Sequence, residues 1–407
     1  MANEILPNPV LENQRPRPTG SLIVAFRDDV ERKDAVRSLE KQTDSDIVAS
    51  TLSTANLSGL ATAQSVIFIE DLHVAFIPQP VNARNSTMMQ TLAADETVVE
   101  IRPEFYLFKQ QEFVDTNASS WGVAATHALD SPFTGKGIKI CILDTGIDRN
   151  HPDFINRSII DKSFVANENI EDLQGHGTHC AGTACGHPAK KDMLRFGVAP
   201  GADLYVGKVL NNRGFGAESD ILRGMRWAID NRCEVISMSL GGAVREGELP
   251  SVLYERIGQQ ALDNGCLIIA AAGNNSNRSF GFIAPVSSPA NAASIMAVGA
   301  IDPNFALGYF SCGGINPNGG EIDIVAPGVG IFSTAPAPQL YRTMSGTSMA
   351  CPHAAGIAAL WAESDPALRG MELWRALKKN TRSLAHPPRD VGAGLVLAPH
   401  QAAANIV

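Results

Sequence analysis

Hydrophobic and polar positions follow two different patterns along the chain. From residue 137 onward, short runs rich in valine, isoleucine and alanine alternate with helical patterns and glycine turns. Such runs are typical of strands buried on both faces of a parallel sheet, with helices as the crossover connections. The pattern predicts a doubly wound α/β domain. Its strands are predicted at 138–143, 204–210, 235–240, 267–272, 295–300 and 323–327, and two of its helices at 218–232 and 251–264.

The first 110 residues have a more polar pattern, with 25 charged residues against 50 in the remaining 297. Strand-like runs and amphipathic helical patterns follow one another as strand, helix, two strands, helix, strand. That order is the split βαβ unit of ferredoxin-like folds. The strands are predicted at 21–26, 65–70, 73–78 and 97–101, and the helices at 31–42 and 82–94. We therefore predict a flexible arm over 1–19, a ferredoxin-like α+β domain over 20–110 and the α/β domain over 111–407.

Composition and charge exclude some classes of function. An apolar content of 44% supports a full-sized core, whereas 33 basic against 42 acidic residues give a net charge of −9. This balance is the opposite of a polyphosphate-binding surface, so no nucleic-acid partner is expected. Apolar runs such as 267–272 are far shorter than the roughly 18 residues of a membrane span, so no membrane partner is expected either.

The cysteines and the N-terminal residues favour a cytoplasmic location, with secretion left open. The first twenty residues contain four prolines and no central apolar stretch of the kind found in secretory signals. The cysteine count is odd, and most cysteines lie in apolar runs, where they are typical small buried hydrophobes. Free thiols in a reducing compartment are the simplest interpretation. The seven are Cys141, Cys180, Cys185, Cys233, Cys266, Cys312 and Cys351.

Three polar clusters lie where strands end or helices begin, which is where open α/β sheets place reacting groups. Asp144 ends an apolar run in LDTGID, His176 stands between glycines in GHGTHCAG, and Ser348 precedes a long apolar helix in GTSMACPHAAGIAALW. Each has an ordinary explanation by itself: a turn, a structural histidine and a helix N-cap. Free amides at the helix start also suit a developing oxyanion beside Ser348. Pro352 is compatible with the first turns of that helix, whose amides lack helical partners.

A zinc site is an alternative interpretation of the second cluster. His176, His179 and Cys180 have one-turn spacing, and all three side chains can bind zinc. However, no second cysteine or acidic pair with a recognisable metal spacing accompanies them. The metal ligands, if any, stay unknown from the sequence.

Taken together, the three clusters resemble the motifs of the subtilisin-like serine proteases (subtilases, peptidase S8), in that family's order of Asp, His and Ser. The resemblance extends over about 121–396 and includes VAPGADLYVGKVL, MSLGG and AAAGNN. It implies a serine endopeptidase that hydrolyses peptide bonds in extended protein segments through an acyl-enzyme. The residues implied are Asp144, His176 and Ser348 for catalysis, Asn274 for the oxyanion hole, and Ser239, Leu240, Gly241, Gly242, Ala272 and Gly273 for substrate binding.

Two departures from the family pattern concern metals and thiols. CGHPAKKDMLRFG contains no asparagine-rich calcium loop, although Asp153 matches a family calcium ligand. The residues that usually complete this calcium site are not found, so structural calcium is possible but doubtful. No cofactor is expected for catalysis. Cys180 resembles the proteinase K branch, which leads to the hypothesis that mercurials inhibit through it; otherwise it is a small buried hydrophobe. The loop at 279–290 is expected to supply the floor of the first specificity pocket, and the preferred residue at the cleavage site stays open.

The front domain resembles the inhibitory propeptide of subtilases, which implies a self-processing zymogen. Its size, element order and position fit, and VEIRPEFYLF would lead a chain end into the cleft like a product. We expect cleavage between Phe105 and Ser119, and the propeptide as an intramolecular inhibitor; a permanently attached accessory domain is the alternative. For the whole chain the alternatives are a pseudoenzyme that binds extended peptides, and a maturation protease that cuts one partner rather than a general degrader.

Overall fold

A computed structural model describes residues 17–51 except 28 and 44, together with 65–78, 84–106, 114–187 and 194–400. The chain forms two compact units, Met1–Gln110 and Gln111–Val407. Most of the predicted arm, residues 1–16, lies outside the described residues. Residues 17–19 are not part of an arm, because they begin the first strand.

The front unit is a five-stranded sheet with two helices. Strands β3, β4, β1 and β5 lie side by side in that order and are antiparallel, as in a split βαβ unit. Strand β2, a four-residue edge strand parallel to β3, was not predicted from the sequence. The elements are β1 (Arg17–Phe26), α1 (Arg32–Gln42), β2 (Ile47–Ser50), β3 (Val66–Ile69), β4 (Val74–Ile77), α2 (Arg84–Ala93) and β5 (Val98–Tyr106).

The second unit is a nine-stranded sheet, a two-stranded hairpin and the helices around them. Its first elements are α3 (Trp121–Ala125), β6 (Lys139–Asp144), β7 (Ile159–Ser163), α4 (His176–Cys185), β8 (Asp203–Lys208), α5 (Glu218–Asp230), β9 (Val235–Met238), α6 (Val252–Asp263) and β10 (Leu267–Ala271). These are followed by β11 (Met296–Ile301), β12 (Ile324–Pro327), β13 (Ile331–Thr334), β14 (Tyr341–Met344), α7 (Thr347–Ser364), α8 (Gly370–Lys379), β15 (Thr381–Arg382), α9 (Pro388–Val391) and β16 (Leu395–Val396).

The sheet order confirms the predicted doubly wound α/β fold. The nine strands lie in the order β15-β16-β12-β11-β10-β9-β6-β8-β7, and all neighbours are parallel except β15 and β16. Strand β6 lies between β8 and β9, so the order of the strands reverses beside it. A reversal of this kind opens a crevice at the carboxyl ends of the strands, where ligands bind in open α/β sheets.

Alternate residues of the strands pack into two cores, one on each face of the sheet. Ile140, Val206 and Ile269 face the core that also contains α4 and α7. Cys141 and Tyr205 face the opposite core, which contains α5 and α6. Helix α7 is apolar nearly all round and is buried over most of its length, as expected of a helix inside a core.

The buried hydrophobic residues of the second unit form these two cores, and the front unit has a separate core around Leu22, Leu39 and Phe68. All seven cysteines are free and buried. Their presence in apolar runs therefore reflects packing and does not report the redox state of a compartment. Among the described residues, no helix has both the length and the apolar character needed to cross a membrane.

Candidate active site

The end of β6 and the start of α4 bring Asp144 and His176 into contact. Nδ1 of His176 lies 2.8 Å from Oδ1 and 2.9 Å from Oδ2 of Asp144. The carboxylate is fully buried and also accepts a 2.8 Å hydrogen bond from the backbone N–H of Thr145. An acceptor on this side places the proton on Nδ1, which leaves Nε2 of the neutral imidazole as the proton acceptor.

The glycine after His176 permits this close approach. A β-carbon at Gly177 would lie 2.4 Å from the carbonyl oxygen of Gly146 and 3.1 Å from the backbone nitrogen of Thr145. Any larger residue would therefore push the first turn of α4 away from the turn that follows Asp144. The close backbone approach predicted from GHG is present.

A second carboxylate, which the sequence analysis missed, joins the same two segments. Asp172 is almost fully buried and accepts hydrogen bonds from the Thr145 hydroxyl at 2.8 Å and the Gly175 N–H at 2.7 Å. It also accepts from the N–H and hydroxyl of Thr178 at 2.8 and 2.7 Å. Asp172 is hard to recognise in the sequence because a lone aspartate in a polar loop is common. Its hydrogen-bond partners become apparent only in the folded structure.

The charge of Asp144 determines the proton affinity of His176. Burial opposes the charged imidazolium, but the carboxylate more than offsets burial and raises the pKa of His176 well above its ordinary value. Cys180 lies below the ring, with Sγ 3.8 Å from Nδ1. Burial raises the pKa of the Cys180 thiol, so at neutral pH it is an uncharged neighbour, and we assign the shift of His176 to Asp144.

Ser348 is the second residue of α7 and lies in the same cleft as His176. Its hydroxyl donates a 3.4 Å hydrogen bond to the carbonyl of Ser239. No hydrogen bond joins Ser348 to His176, and the structure describes both residues. Hydroxyl–imidazole contacts of this type are often long without substrate and shorten in the reacting complex.

Pro352 has a different role from the one predicted. It is the sixth residue of α7, beyond the first turn, so its missing N–H leaves the carbonyl of Ser348 without a helical partner. That carbonyl instead accepts hydrogen bonds from the Ser239 hydroxyl at 2.7 Å and the Cys180 thiol at 3.5 Å. The proline thus frees an acceptor that binds Ser239, the residue after β9, and Cys180 of α4.

Asn274 follows β10 and lies in the cleft beside Ser348. Its Oδ1 accepts hydrogen bonds from the backbone N–H of Thr347 at 2.8 Å and the Thr347 hydroxyl at 2.9 Å. Because the amide oxygen is held by two donors, the Nδ2 group is the end that remains available as a donor. The N–H of Ser348 is a first-turn amide, which has no acceptor within the helix.

The cleft has a volume of about 560 Å³ and contains most of the residues predicted to bind substrate. Ala272 is an exception: it is fully buried in the core, and the neighbouring Ala271 lines the cleft. Within the loop at 279–290, Ser287, Ser288 and Pro289 line the cleft. The lining residues are Thr145, Gln174, His176, Leu210, Gly214, Phe215, Gly216, Glu218, Ile221, Ser239, Leu240, Gly241, Gly242, Tyr254, Ala271, Gly273, Asn274, Asn275, Ser287, Ser288, Pro289, Thr347 and Ser348.

The zinc alternative is not supported by the position of His179. Its Nε2 lies 3.1 and 3.2 Å from the carbonyl oxygens of Ile331 and Arg342, away from Cys180. Burial lowers the pKa of His179 to about 3, so this histidine is a neutral structural residue. In the described part of the chain, the ligand atoms that do cluster, within 4.8 Å of one another, belong to Asp144, His176 and Cys180.

Asp153, the residue that matches a family calcium ligand, has a hydrogen-bond partner of its own. Calcium takes six to eight oxygen ligands, whereas Oδ1 of Asp153 accepts a 3.0 Å hydrogen bond from the hydroxyl of Tyr341. No group of three acidic, histidine or cysteine side chains within the described ranges includes Asp153. Burial and then the Asp153 carboxylate raise the pKa of Tyr341, so the phenol stays protonated and remains a donor.

The second unit is a doubly wound α/β sheet in which an aspartate–histidine pair and a serine lie at one cleft, and sequence comparison identifies the family. The model of the subtilase family matches residues 135–394, so the chain belongs to that family and is a serine endopeptidase acting on proteins. Alkaline elastase YaB of Bacillus sp. (strain YaB) is 38% identical over 309 residues, covering 75% of this chain and 76% of the relative. Subtilisin BL of Lederbergia lenta is 40% identical over 282 residues (68% and 96%), and Subtilisin E of Bacillus subtilis (strain 168) is 37% identical over 292 residues (70% and 72%).

These relatives overturn the predicted cytoplasmic location. They are secreted extracellular subtilisins, which conflicts with a protein retained in the cytoplasm. The prediction was wrong because it interpreted odd, unpaired cysteines as a sign of a reducing compartment. A thiol that is buried in a packed core is protected from pairing in either environment.

Proposed function

We propose that the peptidase reaction uses Ser348 as nucleophile, His176 as general base and then general acid, and Asp144 to orient and stabilise the imidazolium. The observation that carries this proposal is the contact of a buried carboxylate with Nδ1 of His176 in the cleft that contains Ser348. The hydroxyl gives its proton to Nε2 as Oγ attacks the scissile carbonyl carbon, and Nε2 then protonates the leaving amine. Water repeats the sequence to release the acyl group.

The tetrahedral oxyanion would be held by Nδ2 of Asn274 and the backbone N–H of Ser348. The anchoring of the Asn274 oxygen by Thr347 supports this role, because it presents the amide donor without reorganisation during the reaction. Loss of one such donor costs roughly 100- to 1000-fold in kcat, a magnitude that was measured in this family. This chemistry uses side chains and backbone amides alone and requires no cofactor.

Extended protein segments are the proposed substrates. Gly214, Gly216, Gly241 and Gly242 all line the cleft, so much of its lining is backbone without side chains. Such a lining suits pairing with the main chain of an extended peptide, and leaves selectivity to the pockets. Ser287, Ser288 and Pro289 are proposed to form part of the first pocket, together with Ala271 and Gly273.

The front unit is proposed as an inhibitory propeptide that the enzyme removes itself. Its split βαβ topology and its position before the protease unit support this role. The proposed junction between Phe105 and Ser119 includes residues 107–113, which lie outside the described residues.

A single variant tests catalysis and processing together. Purified wild type is expected to react with a fluorophosphonate at Ser348 and to show a mature N-terminus between residues 105 and 119 by intact mass. Ser348→Ala should be unlabelled, inactive and full-length. Equal processing of Ser348→Ala would refute self-processing, and an unlabelled, inactive wild type would favour a peptide-binding pseudoenzyme.

A further inference from the structure

The cleft contains one acidic side chain. Of its lining residues, only His176 and Glu218 carry a group that is charged near neutral pH, and the others are apolar or neutral. Glu218 is the first residue of α5 and is exposed to solvent. Its carboxylate is thus the sole negative charge that a bound segment meets along the lining.

Nothing in the described structure neutralises this charge. No lysine, arginine or histidine nitrogen in the described residues lies within 4.0 Å of the Glu218 carboxylate, although nearby Asp220 is paired with Arg223. The carboxylate has a neutral hydrogen-bond partner, the hydroxyl of Tyr254 on α6, whose side chain is buried. Burial and then Glu218 raise the pKa of Tyr254, so the phenol stays neutral beside the carboxylate.

The surroundings of Glu218 suit a long basic side chain. Leu210, Ile221 and Leu240 also line this cleft, and all three are apolar. Lysine and arginine place their methylene stems on apolar surface and keep the charged head at a polar edge. A helix start by itself favours glutamate through the dipole, but that effect does not account for its place in the lining of the cleft.

We propose that Glu218 selects protein substrates with a lysine or arginine at the position that lies over the α5 end of the cleft. This inference rests on the proposed function, because it requires the substrate to occupy the cleft that contains Ser348. Glu218 acts as a specificity residue and not in the chemistry. Ion pairs at exposed sites are worth 0.2–1 kcal/mol, which corresponds to about 1.4- to 5-fold in kcat/KM.

The test is a set of fluorogenic peptides built on one cleaved parent sequence, with Lys, Gln or Glu at each position in turn. The purified active enzyme should prefer Lys over Gln and Gln over Glu at one position distant from the scissile bond. The preference should shrink in 1 M NaCl, because salt screens exposed charges. Glu218→Gln should abolish it and Glu218→Lys should reverse it. Glu372→Gln, an exposed glutamate on α8, is the matched control and should keep the wild-type preference.

The outcomes separate this inference from the function on which it rests. Cleavage without charge preference at any position, or a preference that survives in Glu218→Gln, would overturn the role of Glu218 and leave the peptidase assignment intact. Absence of cleavage together with absence of fluorophosphonate labelling would overturn the proposed catalytic roles and this inference with them.

Discussion

At the scale of single residues, the site depends on one buried charge. Asp144 is fully buried, and its one ionic partner in the described structure is His176. A buried carboxylate next to an imidazole both fixes the Nδ1 tautomer and favours the protonated ring. In the proposed mechanism, the reactivity of Ser348 is therefore controlled by a side chain that does not itself contact the substrate.

Asp144→Asn tests this control. The amide removes the charge while keeping the shape, and we expect kcat to fall by about 10⁴-fold, as in other triads. Because the raised pKa of His176 places the acid limb of wild-type kcat/KM above pH 6.5, the residual activity should show that limb at lower pH. Hydrolysis of a fluorogenic peptide between pH 4 and 10 measures both effects, and an unshifted limb would contradict the assignment of the shift to Asp144.

Cys180 gives a second prediction at this scale. Its Sγ lies near Nδ1 of His176 and the carbonyl of Ser348, and a soft metal bound there would displace the imidazole. We expect mercurials to inhibit wild type and to leave Cys180→Ala at its own uninhibited rate. The thiol is buried, so inhibition should develop with time rather than at once. Equal inhibition of both enzymes would mean that another thiol is responsible.

At the scale of elements, hydrogen bonds at the site join the end of a strand, the starts of two helices and a loop. Pro352 frees the Ser348 carbonyl, and the side chains of Ser239, which follows β9, and of Cys180 on α4 donate hydrogen bonds to it. Asp172 joins the turn after β6 to the first turn of α4. These links set the distance between the groups of the triad, and they do so with hydrogen bonds that never reach the substrate.

Asp172→Asn tests the positioning role. It replaces one acceptor oxygen by a donor, so the donors of Thr178 or of Thr145 and Gly175 lose their partner and α4 shifts relative to β6. A displacement of about 1 Å costs on the order of 100-fold in rate, and we expect a fall of 10- to 100-fold in kcat with little change in KM. The acid limb of the pH profile should also move to lower pH, because His176 lies farther from Asp144.

Glu363→Gln is the matched control for a purely structural loss. Its carboxylate accepts hydrogen bonds from the N–H groups of Thr134, Gly135 and Lys136, away from the cleft lining. Glu363→Gln should lower the denaturant midpoint of unfolding but leave kcat and the pH profile of activity unchanged. If Asp172→Asn behaves in the same way, Asp172 is structural and does not position the triad.

At the scale of the whole molecule, buried histidines connect stability to pH. Burial lowers the pKa of His353 to about 4 and that of His179 to about 3, against 6.5 in the unfolded chain. The unfolded state therefore binds more protons below pH 6.5, and stability falls as the pH drops toward 4, by up to about 1.4 kcal/mol per pH unit for each histidine. His176 has the opposite sign: its contribution is complete below pH 6.5 and is lost as pH rises through its raised pKa.

Denaturant unfolding of Ser348→Ala, which avoids self-digestion, between pH 7.5 and 4.5 measures this linkage. We expect the free energy of unfolding to fall steeply as the pH drops from 6.5 to 4.5. A free energy of unfolding that stays constant from pH 6.5 to 4.5 would contradict the neutral burial of His179 and His353.

The elements with a strong local pattern were predictable. Strands β6 and β8–β12 are continuous apolar runs, because both faces of each strand are buried, and their predicted ranges overlap the observed ones. Strand β7 was missed because it lies at the sheet edge with alternating exposure, and no apolar run marks it. β1 begins earlier than predicted because Arg17 and Pro18 pair with β5, a long-range contact.

The sequence alone determined the fold class and the family, because these depend on local periodicity and on motifs of a few residues, and the same motifs are the source of the proposed roles of Asp144, His176, Ser348 and Asn274. The tertiary structure decided what depends on contacts between distant segments. These are the hydrogen bonds of Asp172 to Thr145 and Thr178, the hydrogen bond from Ser239 to the Ser348 carbonyl, and the presence of Ala271 and Glu218, but not Ala272, in the lining of the cleft. Burial and hydrogen-bond partners of such residues are set by strand order and helix packing, and these follow from the summed interactions of the whole chain.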